Sequence, residues 1–348
     1  MSKQEKLLIL QMVADGQITP EQGVELLNAL EPGKPRWEPS STGGQHALEQ
    51  GVEHVVERAE VVAESVASNI GRMLSGLFGG GFIGGPTFEF REEIKGQFPE
   101  EGELDLRLSS SNGRISVETW DQPGYLLTVI KKGRGRDEAD ARQMLENCYE
   151  FSQEGLCLTA KSTETAGIDL RGLSVGFALK IPASRKASVT LRSGNGRITL
   201  DGVTGSSCTA STGNGRVEVT RCGFDRAKLT TGNGRVEYEG SAGELKASSG
   251  NGAINVEMKG AGDWEFSTGN GRISIGVVRD GDTGYEMDLT ARAGGITVEG
   301  LDDADVIEDV AISRSRWRYK ARTPGFEQAG AKGRIKATTG NGKIRVWF

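Results

Sequence analysis

Three segments decide the reading of this chain: Leu191-Arg-Ser-Gly-Asn-Gly-Arg-Ile-Thr-Leu200, Ala210-Ser-Thr-Gly-Asn-Gly-Arg-Val-Glu-Val219 and Leu229-Thr-Thr-Gly-Asn-Gly-Arg-Val-Glu-Tyr238. The Gly-Asn-Gly returns at Asn251 and Asn270, so the five asparagines from Asn195 follow at steps of 19, 19, 18 and 19 residues. A fixed short period marks stacked units, each too small to bury its own apolar face. After every Gly-Asn-Gly the residues alternate, which points Ile198, Val217, Val236, Ile254 and Ile273 inward from a half-buried strand. A second strand precedes each turn, with Val189/Leu191, Cys208/Ala210, Ala227/Leu229, Leu245/Ala247 and Trp264/Phe266 as its inward pairs. Two strands per period of about 19 residues form one coil of a flattened β-solenoid.

The corner residues invite three expectations. Asn and Gly tolerate positive φ, and asparagines stacked inward would form a structural ladder of Asn195, Asn214, Asn233, Asn251, Asn270 and Asn341. Each of its members would then be worth about 1–3 kcal/mol. Ser193, Thr212, Thr231, Ser249 and Thr268, one step before each corner, would form a parallel hydroxyl ladder. Asn-Gly signals a type I′ hairpin in an antiparallel meander equally well, but a meander would not stack identical residues. Arg197, Arg216, Arg235 and Arg272 would share one outer face, a row suited to a polyanion; Glu218 and Glu237, two residues after Arg216 and Arg235, would cancel its field and leave a solvated face.

Composition agrees with a turn-dense array. Glycine supplies 51 of 348 residues and aromatics only 6%. A net charge of −6 gives no global field for nucleic acid. Cys148, Cys157, Cys208 and Cys222 have neither metal-ligand nor disulfide-framework spacing. The amino terminus lacks the apolar core and cleavage site of a signal peptide, and no apolar run reaches membrane-spanning length. These features point to a cytoplasmic protein, peripheral at most to the inner face of the membrane.

Residues 1–31 read as a helical hairpin. Leu7, Leu8, Leu10, Met12 and Val13 mark one helix, Asp15-Gly16 stops it, and Thr19 with Pro20 caps a second that carries Val24, Leu26, Leu27 and Leu30. So short a hairpin buries little alone and needs a partner or a second copy. The run from Glu5 through Asp15-Gly-Gln-Ile18 to Leu30 resembles the bacterial SHOCT-like helical module, which implies oligomerisation or protein contacts. Residues 32–45 are a linker by composition, and 46–85 read as a long amphipathic helix with a Gly-rich hinge. Its apolar steps alternate between three and four, so Val52, Val55, Val62 and Val66 form a candidate oligomer seam. His46 and His54 are too few and too poorly aligned for a metal site. The polar face of this helix is rich in glutamate, which favours self-association over direct membrane binding; its apolar end leaves a peripheral contact with anionic lipid open.

Residues 86–348 carry the β region. Ser111-Asn-Gly-Arg-Ile-Ser-Val117 is a first, divergent copy of the repeat, and Asp137 to Asn147 reads as a short helix with Ala141, Met144 and Leu145 as its stripe. The repeated Gly-Asn-Gly-x-Ile/Val resembles the bacterial β-strand-repeat family labelled "putative adhesin", and with the amino-terminal module the architecture is similar to the YvlB and LiaX type. That resemblance implies a β-solenoid, a link to cell-envelope stress and no established catalytic residues. Thr339-Gly-Asn-Gly-Lys-Ile-Arg-Val-Trp-Phe348 closes the chain, and Trp347 and Phe348 are expected to cap the stack. Between the last repeats, Asp302, Asp303, Asp305, Glu308 and Asp309 precede Arg314, Arg316, Arg318, Lys320 and Arg322. Alternation puts all five bases on one side of a strand, a possible polyanion contact unless acidic residues cover them.

Catalysis by a solenoid needs paired carboxylates at a set separation or a base beside a metal. Only Glu218, Glu237 and the shifted Glu257 recur at outer positions, and the first two sit beside arginine. There is no Gly-x-Ser-x-Gly and no Walker A sequence, and the recurrent Gly-Asn-Gly opens strands instead of a helix. The expectation is a non-catalytic scaffold that binds proteins through its amino-terminal helices and takes no cofactor, metal or small-molecule substrate. The alternative is a surface adhesin or glycan-binding module.

Overall fold

The computed structural model describes residues 85–163, 173–279, 282–301, 305–313 and 316–348. The chain divides into two compact units, Met1–Leu77 and Phe78–Phe348, and all described residues belong to the second. The helical hairpin, the linker, the long helix and the Val52, Val55, Val62 and Val66 seam lie outside the described residues.

In chain order the first strands are β1 (Thr87–Gly96), β2 (Leu104–Ser110), β3 (Ile115–Trp120) and β4 (Tyr125–Arg134). Helix α1 (Glu138–Met144) leads to β5 (Tyr149–Glu154), β6 (Cys157–Ser162) and β7 (Ser174–Pro182). The regular part comprises β8 (Ala187–Ser193), β9 (Ile198–Asp201), β10 (Thr204–Thr212), β11 (Val217–Thr231), β12 (Val236–Asn251), β13 (Ile254–Lys259), β14 (Asp263–Asn270) and β15 (Ile273–Val278). Then come β16 (Thr283–Ala293), β17 (Ile296–Glu299), β18 (Asp305–Ser313), β19 (Arg316–Arg322), β20 (Ala331–Asn341) and β21 (Ile344–Trp347).

Pairing produces two faces that share one core. The first runs β5-β6-β2-β8-β10-β11-β12-β14-β20-β16-β19-β18, and the second runs β1-β4-β7-β3-β9-β11-β12-β13-β15-β21-β17. β11 and β12 belong to both because each bends from one face to the other. In β11 the bend falls at a register shift between Val219 and Cys222, where Arg221 takes a left-handed φ of 53° and pairs with Asp201. Through the middle of the stack all pairing is parallel, as Val189↔Cys208 and Val217↔Val236 illustrate. Parallel pairing decides against the antiparallel meander, because a hairpin would have reversed the strand.

The inward positions form one continuous core. Ile198, Val217, Val236, Ile254 and Ile273 are fully buried, as are Leu191, Leu229 and Leu245, while Trp264 and Phe266 are the largest buried rings of the regular coils. Trp264 Nε1–H donates to the Ala242 carbonyl (2.9 Å), and the Tyr285 hydroxyl donates to the Gly260 carbonyl (2.7 Å), so neither polar tip is left bare. Cys208 is a small core residue whose thiol is pushed far up by burial, and burial raises Cys222 to about 11.

The order of coils departs from the order of the chain at both ends. β2 lies between β6 and β8, and β3 lies between β7 and β9. Likewise β20 lies between β14 and β16, and β21 between β15 and β17. The closing coil is therefore internal, which corrects the expected cap: Trp347 stands against Gly276, and Phe348 packs on Tyr285 with ring centroids 5.7 Å apart. Antiparallel strands cover the ends instead. β1-β4-β7 and β5-β6 close one end and β16-β19-β18 the other. α1 sits at the first of these ends, where the Asp137 carboxylate accepts from the Asp140 amide (2.8 Å) and Ala141 and Leu145 are buried. Met144 is exposed, contrary to the expected stripe, because it falls at the last helical turn beyond the buried arc.

Candidate functional site

The corner edge concentrates the repeated polar residues, and each has a distinct partner. The hydroxyl before the corner is buried and donates to a glycine carbonyl of the preceding coil: Thr212 to Gly196, Thr231 to Gly215, Ser249 to Gly234, Thr268 to Gly252 and Thr339 to Gly271, all at 2.9 Å. Ser193 does the same to Gly113 at 3.0 Å. These residues do not bond to one another, so no hydroxyl ladder exists; a carbonyl of the adjacent coil is nearer and is a better acceptor.

The asparagines do form a ladder, but on the outside. Nδ2 of each donates to Oδ1 of its predecessor: Asn214 to Asn195 (2.7 Å), Asn233 to Asn214 (2.8 Å), Asn251 to Asn233 (2.8 Å), Asn270 to Asn251 (2.7 Å) and Asn341 to Asn270 (2.6 Å). Asn195 extends it to Asn112 (2.6 Å), 83 residues away, a member that periodicity alone missed. Six of the seven are exposed and Asn112 is half-buried, which overturns the inward placement. Positive φ is not the reason for the flanking glycines either, since none from Gly194 to Gly271 in these corners adopts it. The reason is close approach. A Cβ on Gly215, Gly234, Gly252 or Gly271 would overlap the carbonyl oxygen of the matching glycine one coil back.

Beside the ladder runs a column of cations. Amide hydrogen bonds to the carbonyls of Arg114, Arg197, Arg216, Arg235, Ala253, Arg272 and Lys343 tie these residues into one line across seven coils. Glu237 pairs with Arg235 (3.1 Å) and with Arg216 (3.7 Å), so field cancellation operates at that point of the column. Among the described residues no carboxylate pairs with Arg114 or Arg197. The residues two positions on, Ser116 and Thr199, are neutral where the next two coils carry Glu218 and Glu237. Glu257 neighbours Glu239 and Gly276 at a different row and is not part of this edge.

The second basic feature is β19, which lies between two acidic strands. Arg318 makes a two-pronged contact with Asp288 on β16 (Nε 3.1 Å, Nη2 2.9 Å), and this guanidinium holds the Asp288 carboxyl below its ordinary value. Arg322 bonds to Glu286 and Glu327 and stacks on Phe326 at 5.0 Å. Lys320 is flanked in register by Asp288 and Glu308, and Arg322 by Glu286 and Asp305. Asp305, Glu308 and Asp309 of the acidic stretch thus lie in β18, the antiparallel neighbour of the basic strand, while β16 supplies further carboxylates from the opposite side; Asp302 and Asp303 lie outside the described residues. Arg316 is exposed at the start of β19, opposite Ser313, and Arg314 lies outside the described residues. Trp317, on the other side of the strand, is 44% exposed.

The geometry defines a parallel-coiled β stack with an external asparagine ladder, and sequence comparison places it. The model of the SHOCT-like domain matches residues 4–35, and the model of Toastrack DUF4097 matches residues 77–305, more than half of the chain. The chain belongs to the Toastrack family. Among curated proteins none matches this Toastrack chain. Similar solved structures include a "putative cell adhesion protein" from Clostridium sporogenes ATCC 15579, with 10% identity, 75% of this chain and 99% of that one covered, and a TM-score of 0.36. A "putative adhesin" from Bacteroides fragilis NCTC 9343 has 10% identity, coverage of 74% and 97%, and a TM-score of 0.35. Another from Parabacteroides distasonis ATCC 8503 has 11% identity, coverage of 75% and 97%, and a TM-score of 0.32. The Toastrack match extends across the ladder from Asn112 to Asn270, while Asn341 and β19 to β21 lie beyond its last residue.

Proposed function

We propose that this Toastrack protein is a non-catalytic scaffold of the bacterial cell-envelope stress response, cytoplasmic and peripheral to the inner face of the membrane. In this reading the SHOCT-like segment and the Val52, Val55, Val62 and Val66 seam self-associate or hold a protein partner, and the stack presents a stiff β surface. The observation that supports it is how the stack uses its polar repeats. Corner hydroxyls, corner amides and many charged side chains bond to the next coil, so side chains are committed to making one continuous body. Light scattering on the full chain tests the assembly: an oligomer that Val55→Glu with Val62→Glu converts to a monomer is the expected result. A monomeric wild type overturns self-association. Cell fractionation tests the location, and recovery on the outer surface or in the medium would favour the adhesin reading instead.

A further inference from the structure

We propose that the corner edge of the stack binds a linear polyanion, a base-free polymer of phosphate or carboxylate groups laid along the stack axis on Arg114, Arg197, Arg216 and Arg235. This goes beyond the scaffold reading and does not depend on it. The first observation is the alignment. The Ile115, Ile198 and Val217 amides donate to the carbonyls of Arg197, Arg216 and Arg235 at 2.9, 2.9 and 3.0 Å, so the four arginines stand immediately before neighbouring strands β3, β9, β11 and β12. Strand spacing sets them about 4.8 Å apart. Like charges directly opposite one another on neighbouring strands are unfavourable unless something between them is negative. Glu237 serves the last two, whereas Arg114 and Arg197 have no carboxylate partner among the described residues.

The second observation is what flanks the column. On one side run the amides of half-buried Asn112 and exposed Asn195, Asn214 and Asn233; each keeps at least one N–H and one oxygen lone pair beyond the ladder bond. On the other side stand Ser116, Thr199, Glu218 and Glu237. A thread-like ligand can follow the arginines and amides without touching the glutamates. A lipid surface could not, because Glu218 and Glu237, on the same outer face as the arginines, would be pressed against its anionic headgroups. Nucleic acid is disfavoured as well: none of these flanking residues is aromatic, and single strands are held by stacking on aromatic rings. Guanidinium forks match phosphate and carboxylate oxygens in pairs, and a column of them rewards a chain over a single anion through multivalency.

The experiment is fluorescence anisotropy on the full chain at low salt with labelled inorganic polyphosphate and labelled polygalacturonate. Inorganic triphosphate, oligo(dT) and phosphatidylglycerol vesicles serve as comparisons. At least one of the two polymers should bind, ten-fold or more tighter than triphosphate, and weaken steeply toward physiological salt. Arg114→Gln with Arg197→Gln should lower that affinity at least ten-fold, whereas Lys246→Gln, on the other face and paired with Glu244, should not. Both changes are at exposed positions, and a thermal melt at or above the wild-type midpoint confirms that the double variant is folded. Absence of binding by both polymers overturns the proposal. So do equal losses in the double variant and Lys246→Gln, or oligo(dT) or vesicles binding as tightly as the polymers.

Discussion

One methyl group at a corner decides whether two coils can close. A Cβ on Gly234 would overlap the Gly215 carbonyl oxygen, which is itself held by the Thr231 hydroxyl, so the coil must open to admit it. Gly234→Ala should cost about 2 kcal/mol or more in urea unfolding, by the overpacking penalty. Gly295→Ala, with nothing within reach of the new methyl, should stay within about 0.5 kcal/mol. The same measurement ranks the polar residues. Asn233→Ala breaks two rungs, but both are exposed and water replaces them, so the loss is about 0.5–1.5 kcal/mol, at or below the inward estimate. Thr231→Val strips a buried carbonyl of its donor and should cost about 1–3 kcal/mol. If Asn233→Ala proves the more damaging of the two, the ladder carries more of the stack than its exposure allows.

At the scale of the element, β19 is held as the cationic middle of an acid–base–acid sandwich of strands. Its partners came from two directions: β18 follows from adjacency in sequence, while Glu286 and Asp288 of β16 arrive through an antiparallel pairing. The Asp288 carboxyl is depressed by Arg318, so its contribution to stability is complete above the ordinary aspartate value and fades as pH falls through it toward the folded one. Unfolding followed from about pH 5 to about pH 2 should therefore show a steeper loss in the wild type than in Asp288→Asn, which has no proton to take up. Parallel slopes would mean that the ion pair adds nothing to the folded state. The pairs already made by Arg318 and Arg322 also leave β19 less suited to an external anion than the corner column.

For the stack as a whole, the inserted coils make the two ends unlike the middle. A nearest-neighbour array tolerates loss of an internal unit, because the units on either side can meet. Deleting residues 213–231 joins Thr212 to Gly232-Asn233 in register and should give a shorter stack that still unfolds cooperatively and binds little of a hydrophobic dye. Ending the chain at Gly330 removes β20 and β21 from between β14/β15 and β16/β17, which uncovers Trp264, Phe266 and Leu289. That chain should bind the dye strongly and lose its sharp transition. Equal behaviour of the two deletions would show that β16 can close directly onto β14.

By itself the sequence determined the coil. Its alternation assigned Ile198, Val217, Val236, Ile254 and Ile273 to the core, and its period named Asn195 through Asn270 as stacked residues, since both signals are local and recur many times. It also offered Ser111-Asn-Gly-Arg114 and Thr339-Gly-Asn-Gly-Lys343 as copies, but not their neighbours. Only the tertiary structure decided that these two coils are inserted, placing Asn112 against Asn195 and Asn341 against Asn270 across 83 and 71 residues. The physical reason is that parallel pairing between coils depends on matching strands, corners and apolar rows, which every copy shares, and not on proximity along the chain. For the same reason Arg114 joined the arginine column without any periodic signal. Whether the asparagines faced in or out was equally undecidable from sequence, because a side-chain amide ladder bonds identically on either side of the backbone. In the structure the inner side of each corner is taken by a buried hydroxyl, such as Thr212, Thr231 or Thr268 on a glycine carbonyl, and the asparagines stand outside.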